Sequence, residues 1–309
     1  MTLPHKGKKG FAAAAAIVAV LGGLTVVRAQ IQYQTGQNVA PVYEGWMRND
    51  DGSIDMVFGY LNRNWEEVLY LPIGPENNVQ PGGPDRGQPT IFVPRRFTQP
   101  PGERREQFVF RVRVPAGWGP KQEIVWTLTA HGRSDKAVGT LDPLDEIDTH
   151  VIAENRAFAV TEGNKPPTIQ SLKADPETVT LPGTITLTVR ATDDGLPKPP
   201  APPPGRGGNA AGRGAQGPQG ASSAAAALLG FMGRIPGLSV KWVYYRGPGV
   251  GLVKFDPERS AITEGQATTK VTFKQPGTYM LRAFADDGAL IATSEVTVTV
   301  KGAAAGSTK

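Results

Sequence analysis

The chain has 309 residues, enough for two modest cores, and its formal charge of +5 shrinks once four cations near the start, Lys6, Lys8, Lys9 and Arg28, are set aside, leaving 29 basic against 28 acidic residues. That near balance removes the main support for a nucleic-acid partner. Cysteine is absent and histidine occurs three times, so disulfide staples, a Cys nucleophile and a His-rich zinc site are all excluded.

Residues 1–29 read as an export signal: a basic start, an apolar run from Phe11 to Val26, and Val27-Arg28-Ala29 at the cleavage position. An uncleaved anchor is the rival reading, but the run falls short of the ~20 apolar residues that a spanning helix needs. The expected product is secreted, periplasmic or extracellular, begins near Gln30, and inserts in no membrane after cleavage.

From residue 38 to 141 strand signals dominate. Runs are expected at Val42–Met47, Ile54–Leu61, Val68–Ile73, Thr90–Pro94, Gln107–Val114, Glu123–Ala130 and Ala137–Leu141. In the fifth, Phe108, Phe110, Val112 and Val114 alternate with Val109, Arg111 and Arg113. In the sixth, Ile124, Trp126 and Leu128 alternate with Val125, Thr127 and Thr129. Asp51-Gly52, Pro81-Gly82-Gly83 and Pro101-Gly102 punctuate the runs. Short strands at regular spacing point to an antiparallel sandwich.

Residues 142–167 are expected to form a short helix and a linker. Asp142 can cap, Pro143 suits a first turn, and Leu144, Ile147, Val151 and Ile152 fall on one helical face. Glu162 to Pro167 then reads as the connection to a second domain spanning residues 168–301.

Strands return there. Ile185, Leu187, Val189 and Ala191 alternate with threonines and Arg190, and Val296, Val298 and Val300 with Glu295, Thr297 and Thr299. Between them stand Val240–Tyr245, Thr269–Phe273 and Tyr279–Ala285. An insertion at 196–236 contains 26 Gly, Pro or Ala among its 41 residues and no acid, a composition that cannot order itself. Its first part is expected to be a stiff stem, and Ala224 to Met232 a brief apolar helix. The tail, 302–309, is small and polar and is expected to be disordered.

The runs Leu181–Gly195 and Pro276–Gly288, each ending in Asp-Asp-Gly, resemble the strands of PKD-like and cadherin-like immunoglobulin domains of secreted bacterial proteins. The resemblance covers about residues 166–301. It implies a sandwich with Trp242 on the third strand and Tyr279 in a tyrosine corner, and with Leu187 or Val189 and Leu281 or Ala283 where antibody domains place paired cysteines. Residues Asn38–Trp46 and Phe58–Asn64 are similar to uncharacterised secreted proteins of soil bacteria, which implies no activity. The fold class is therefore all-β: two immunoglobulin-like antiparallel sandwiches in tandem.

Four residue sets are candidates for chemistry. Asp193, Asp194, Asp286 and Asp287 follow two strands whose loops emerge at one end of such a sandwich, so they either cap tight turns or hold calcium, the one cofactor considered. The longer acidic motifs by which cadherins bind calcium do not occur. Trp65 and Trp118 fall in or beside loops, where an indole either stacks on a sugar ring or covers a core. Arg111 and Arg113 share the wet face of a strand next to Arg95, Arg96, Arg104 and Arg105, an anion-binding stripe unless Glu103, Glu106 and Glu123 neutralise it.

Catalytic groupings are the fourth set. His131 before Ser134-Asp135, and the pair Glu66 and Glu67, have spacings that carry no specificity, and no nucleophile elbow, zinc-binding His pair or phosphate loop occurs. The sequence therefore reads as a non-catalytic binding or scaffold protein for an extracellular protein or polysaccharide. An accessory carbohydrate-binding module and a hydrolase are the alternatives, and the sequence does not show the oligomeric state.

Overall fold

The computed structural model describes residues 33–94, 105–147, 163–196, 237–288 and 290–303. The leader, the stem and helix of the insertion, His150 to Ile152, Arg95, Arg96, Glu103, Arg104 and the last six residues lie outside them. Among the described residues no helix is long and apolar enough to cross a membrane.

The first half holds β1 (Val39–Arg48), β2 (Ile54–Asn62), β3 (Leu69–Tyr70), β4 (Asn77–Gln80), β5 (Ile91–Phe92), β6 (Glu106–Val114), β7 (Ile124–Ala130) and β8 (Arg133–Gly139). One sheet runs β1-β2-β6 and a second β4-β7-β8, with β3 and β5 as a two-stranded ribbon. Met56, Phe58 and Trp46 from the first sheet meet Trp126, Ile124 and Leu128 from the second. Phe110 and Trp126 pack edge to face at 4.8 Å, and Phe58 stacks on Phe110 at 5.3 Å. Alternation in β7 therefore buries one face, as the sequence implies.

Three expectations for this half need correction. The strand expected at Val68–Ile73 shrinks to Leu69–Tyr70, because Pro72 has no N–H to extend the ladder. The strand expected at Ala137 begins at Arg133, since His131 and Gly132 both take positive φ (51° and 72°) and close a two-residue hairpin. Phe108 leaves the dry row: its φ is +55°, and the β2–β6 register shifts between Phe58 and Tyr60, so Val109 is buried in its place. Gly59 sits opposite this bulge, where a Cβ would stand 2.4 Å from the Glu106 carbonyl oxygen.

In the described part of the expected helix, residues 142–147, the chain forms a 3₁₀ turn, Pro143–Asp145, with Asp142 accepting from the Leu144 amide at 2.9 Å. Leu144 is 93% exposed rather than on a buried face. The chain leaves the helix because the Ile147 amide donates to the Trp46 carbonyl at 2.8 Å, docking the segment along β1.

The second half holds β9 (Thr168–Asp175), β10 (Thr178–Thr180), β11 (Thr184–Thr192), β12 (Ser239–Arg246), β13 (Val253–Asp256), β14 (Arg259–Ala261), β15 (Gln266–Phe273), β16 (Gly277–Asp286) and β17 (Ile291–Lys301). Its sheets run β10-β17-β16-β12-β14 and β13-β15-β11-β9, the two-layer arrangement of an immunoglobulin-type sandwich. All pairs of these strands are antiparallel except β10 with β17. Trp242, Leu187, Val189, Leu281 and Ala283 fill the core without cysteines. The Tyr279 hydroxyl donates to the Gln275 carbonyl at 2.8 Å, which is the tyrosine corner the resemblance implies.

Each sandwich has its own core, yet the two exchange residues. Tyr245 packs into the first core, while Ile91 packs into the second. Strand β12 shifts register between Tyr244 and Arg246, so Tyr244 faces its own core and Tyr245 turns to the neighbouring one.

Candidate functional site

Outward side chains of β6, β12 and β16 meet at the seam between the sandwiches. Tyr245 donates its hydroxyl to the Gly87 carbonyl, and the Thr90 amide donates to the Tyr245 carbonyl at 3.2 Å. Arg246 donates through Nε to the Gln88 carbonyl at 2.8 Å and forks onto Asp85 at 2.8 and 3.0 Å. Arg282 is 5% exposed, donates to the Val109 carbonyl and to Glu295, and lies 3.4 Å from the centre of the Tyr245 ring. A buried guanidinium is tolerated here because oxygens and a ring face replace the lost water.

Beside this seam opens a cleft of about 740 Å³. Arg111 and Arg113 line it together with Tyr245, Met280 and Arg282, the run Leu290 to Thr293, and the carboxylates of Asp55 and Glu295. The two arginines share a face because strand side chains alternate with period two. Register places Asp55 of β2 directly across from Arg113. Arg113 donates through Nε and Nη2 to the two Asp55 oxygens at 2.8 and 3.1 Å, and Arg111 approaches the same carboxylate at 3.7 Å. Burial alone would raise the Asp55 carboxyl, but the Arg113 hydrogen bond and charge, with Asn49 and Arg111, hold it below its ordinary range.

One buried carboxylate thus serves two arginines, and both keep about half of their side-chain surface in water, 47% for Arg111 and 61% for Arg113. Such forks beside apolar walls suit a ligand with carboxylate or sulfate groups and a dry face. Sequence reasoning found the arginines and missed Asp55. Its one signal was an acid among the apolar residues of the Ile54–Leu61 run. Arg105 stands apart, paired with Glu44 at 2.8 Å, and Glu106 pairs with Lys241 at 3.5 Å.

The other sites fall elsewhere. Trp118 packs against the first core and donates its indole N–H to the Gln122 carbonyl at 3.3 Å, so it covers a core end. Trp65 is half-buried, its indole nitrogen is enclosed, and its backbone amide donates to the Tyr33 carbonyl at 2.9 Å. The two indoles do not line the cleft. His131 pairs with Glu67 at 3.0 Å, Ser134 with the Thr129 hydroxyl at 2.6 Å, and Asp135 with Asn38 and Arg63. Each of these side chains is held by partners of its own, and no triad assembles from them.

The Asp-Asp-Gly loops do converge, and they bring Asn164 with them. Asp194 accepts from the amides of Lys165 and Leu196, both at 2.9 Å, and Asp286 accepts from Gly288 at 2.8 Å, so these two act as turn caps. Asp287 accepts from Leu290 at 2.6 Å and from the Asn164 side-chain amide at 3.2 Å. Burial raises the Asp193 carboxyl, and the charges of Asp287 and Asp194 add to the rise. No three His, Cys, Asp or Glu side chains among the described residues are grouped to hold a metal.

Sheets and seam together define the class: an all-β protein of two immunoglobulin-type sandwiches that share an interface. No protein-family model matches the sequence, and no curated protein does. Solved structures with a resemblance include a chimeric titin Z1Z2 carrying a decorin peptide, at 11% identity over 86% of this chain and 100% of that one, TM-score 0.25. The D0-D1 domain of intimin is 13% identical over 85% of this chain and 100% of that one, TM-score 0.25. The adhesin InvE of Yersinia pseudotuberculosis is 12% identical over 86% of this chain and 60% of that one, also at 0.25. At such scores the fold assignment rests on the sheets themselves.

Proposed function

We propose that this is an exported, non-catalytic binding protein whose cleft between the sandwiches takes a segment of an acidic extracellular polysaccharide. The observation that carries the reading is that Arg111 and Arg113 line one cleft together with Tyr245, Met280, Leu290, Ile291 and Ala292. Sugar rings with carboxylates offer both an anionic edge and a dry face. The buried seam supports a scaffold role, because a ligand held at it meets both sandwiches at once. The export signal read from residues 1–29 supports an extracellular or periplasmic setting.

Biolayer interferometry with immobilised polygalacturonate, and a neutral glucan as control, tests the reading. The expected result is binding to the polyuronate alone that weakens several-fold between 50 and 300 mM salt, as screening requires. Arg111→Gln should weaken it further while leaving the Asp55–Arg113 pair intact. Polyuronate binding that is absent at low salt, or unchanged in Arg111→Gln, overturns it. Binding only to an acidic peptide would transfer the cleft to a protein partner, and turnover of the polymer would end the non-catalytic reading.

A further inference from the structure

Two buried oxygens at the loop end of the second sandwich lack any hydrogen-bond donor. Asn164 is 8% exposed, and its Oδ1 has no partner, although its Nδ2 donates to Asp287 Oδ2 at 3.2 Å. Asp193 uses Oδ2 to accept from the Gly195 amide at 3.0 Å, while its Oδ1 is enclosed without a partner. Leaving buried acceptors bare is costly, and more so for a charged one, so native structures rarely do it. Two bare oxygens from segments more than 25 residues apart, beside a third carboxylate, share a common need for positive charge.

We propose that Asn164, Asp193 and Asp287 hold a hard divalent cation, calcium by the chemistry of their oxygens. Zinc favours nitrogen and sulfur, and magnesium keeps most of its waters in a strict octahedron, whereas calcium accepts mixed carboxylate and amide oxygens in loose geometry. The ligand set differs from the four aspartates read in the sequence: Asp194 and Asp286 cap turns, and a carboxamide from the connecting segment replaces them. With two carboxylates rather than three or four, affinity belongs in the weak class of extracellular calcium modules, about 10⁻⁴–10⁻³ M.

The site has a structural consequence that is separate from the polysaccharide reading. Asn164 lies two residues before Pro166, and Asp287 exchanges hydrogen bonds with Leu290, at 3.3 Å from its amide and 2.6 Å to its carboxylate. Pro166 and Leu290 both line the cleft. A cation here ties the segment entering the second sandwich to the loops after β11 and β16, and so fixes one wall of the cleft.

The test is thermal unfolding and isothermal titration of the full chain, stripped with chelator and returned to calcium or magnesium up to 10 mM. Calcium should raise Tm by about 3–6 °C at tenfold over Kd, with a smaller effect from magnesium. Asp193→Asn and Asn164→Ser should each remove the response, and Asp194→Asn should keep it. No heat and no Tm change in the unmodified protein overturns the proposal, whatever the variants do. A calcium response that survives both substitutions overturns it as well, because the ion then sits elsewhere. Neither readout involves a cleft ligand, so the proposal stands or falls independently of polyuronate binding.

Discussion

The guanidinium carbon of Arg282, from β16, stands 3.4 Å from the ring centre of Tyr245, from β12, while the group donates to the Val109 carbonyl of the first sandwich. Two residues of one sandwich thereby fill a socket in the other. Burial pushes the Tyr245 hydroxyl up, so it remains a neutral donor to Gly87 at any physiological pH. The two cores are expected to unfold together, with Trp126 and Trp242 reporting the same midpoint in urea.

Arg282→Met removes the stacking and the donors to Val109 and Glu295. A loss of about 2–4 kcal/mol is expected, from charged hydrogen bonds and a desolvated cation–π contact. Tyr245→Phe keeps the ring and should cost about 1 kcal/mol through the lost bond to Gly87. Urea unfolding followed by tryptophan fluorescence and far-UV circular dichroism checks both. Coincident transitions in the unmodified protein that separate in Arg282→Met would show that this contact couples the cores; separate transitions from the start would sink the idea.

Asn77 is buried in β4 and supports three groups. Its Oδ1 accepts from the Trp126 indole at 3.0 Å, and its Nδ2 donates to the carbonyls of Leu71 and Pro89 at 3.0 and 2.7 Å. Asn77→Ala leaves a buried indole N–H and two carbonyls bare, an expected loss of about 3 kcal/mol by denaturation. Asn77→Asp should do as badly, since it supplies no amide donor.

Gly45 allows the 3₁₀ segment to dock on β1. Its φ is +128°, and a Cβ there would stand 2.3 Å from the Asp145 carbonyl oxygen and 2.8 Å from Ile147. Backbone cannot yield as a side-chain tip does, so Gly45→Ala should cost 2 kcal/mol or more, as a rough figure for strain at such a site. Faster amide hydrogen exchange at Ile147 would locate the damage. Unchanged exchange with unchanged Tm would refute this account of the turn.

Acid sensitivity follows from Asp55 and Asp85. Asp85 is held low chiefly by its hydrogen bond from Arg246, and Asp55 is held low by Arg113, Asn49 and Arg111 acting against burial. A carboxyl lowered by the fold stabilises it above the unfolded value, near 3.8, and that contribution disappears as pH falls through the folded value. Stability should therefore decline below about pH 4 and be flat from pH 5 to 7 as far as these groups are concerned. Asp55→Asn should lower stability at pH 6, flatten the acid limb and leave stability at pH 2 close to that of the parent. An acid limb of unchanged slope in this variant contradicts the assignment.

How much of this could be read from residue order depends on whether neighbours in sequence or neighbours in space do the work. Strands β7, β11 and β16 have a row of apolar residues at every second position, and their alternation declared both strand and buried face. Strand β4 has only Val79 to mark it, its other inward residue being Asn77, so hydrophobic period could not reveal it. Strands β10, β13 and β14 are three or four residues long, too short to display a period. Arg111 and Arg113 were visible as an alternating pair, but Asp55 lies across a register that no local pattern encodes.

By itself, then, the amino-acid order determined an all-β chain with two cysteine-free cores and paired Asp-Asp-Gly turns, because each depends on alternation or turn chemistry within a dozen residues, whereas the tyrosine corner at Tyr279 was implied by the resemblance to immunoglobulin-like domains. Tertiary structure decided the rest. It turned Tyr245 across the seam through a local shift of register, set Asp55 beneath two arginines, and brought Asn164 to Asp287 across 123 positions of chain. Such meetings depend on how sheets stack and which face a bulge presents, and those are properties of packing rather than of period.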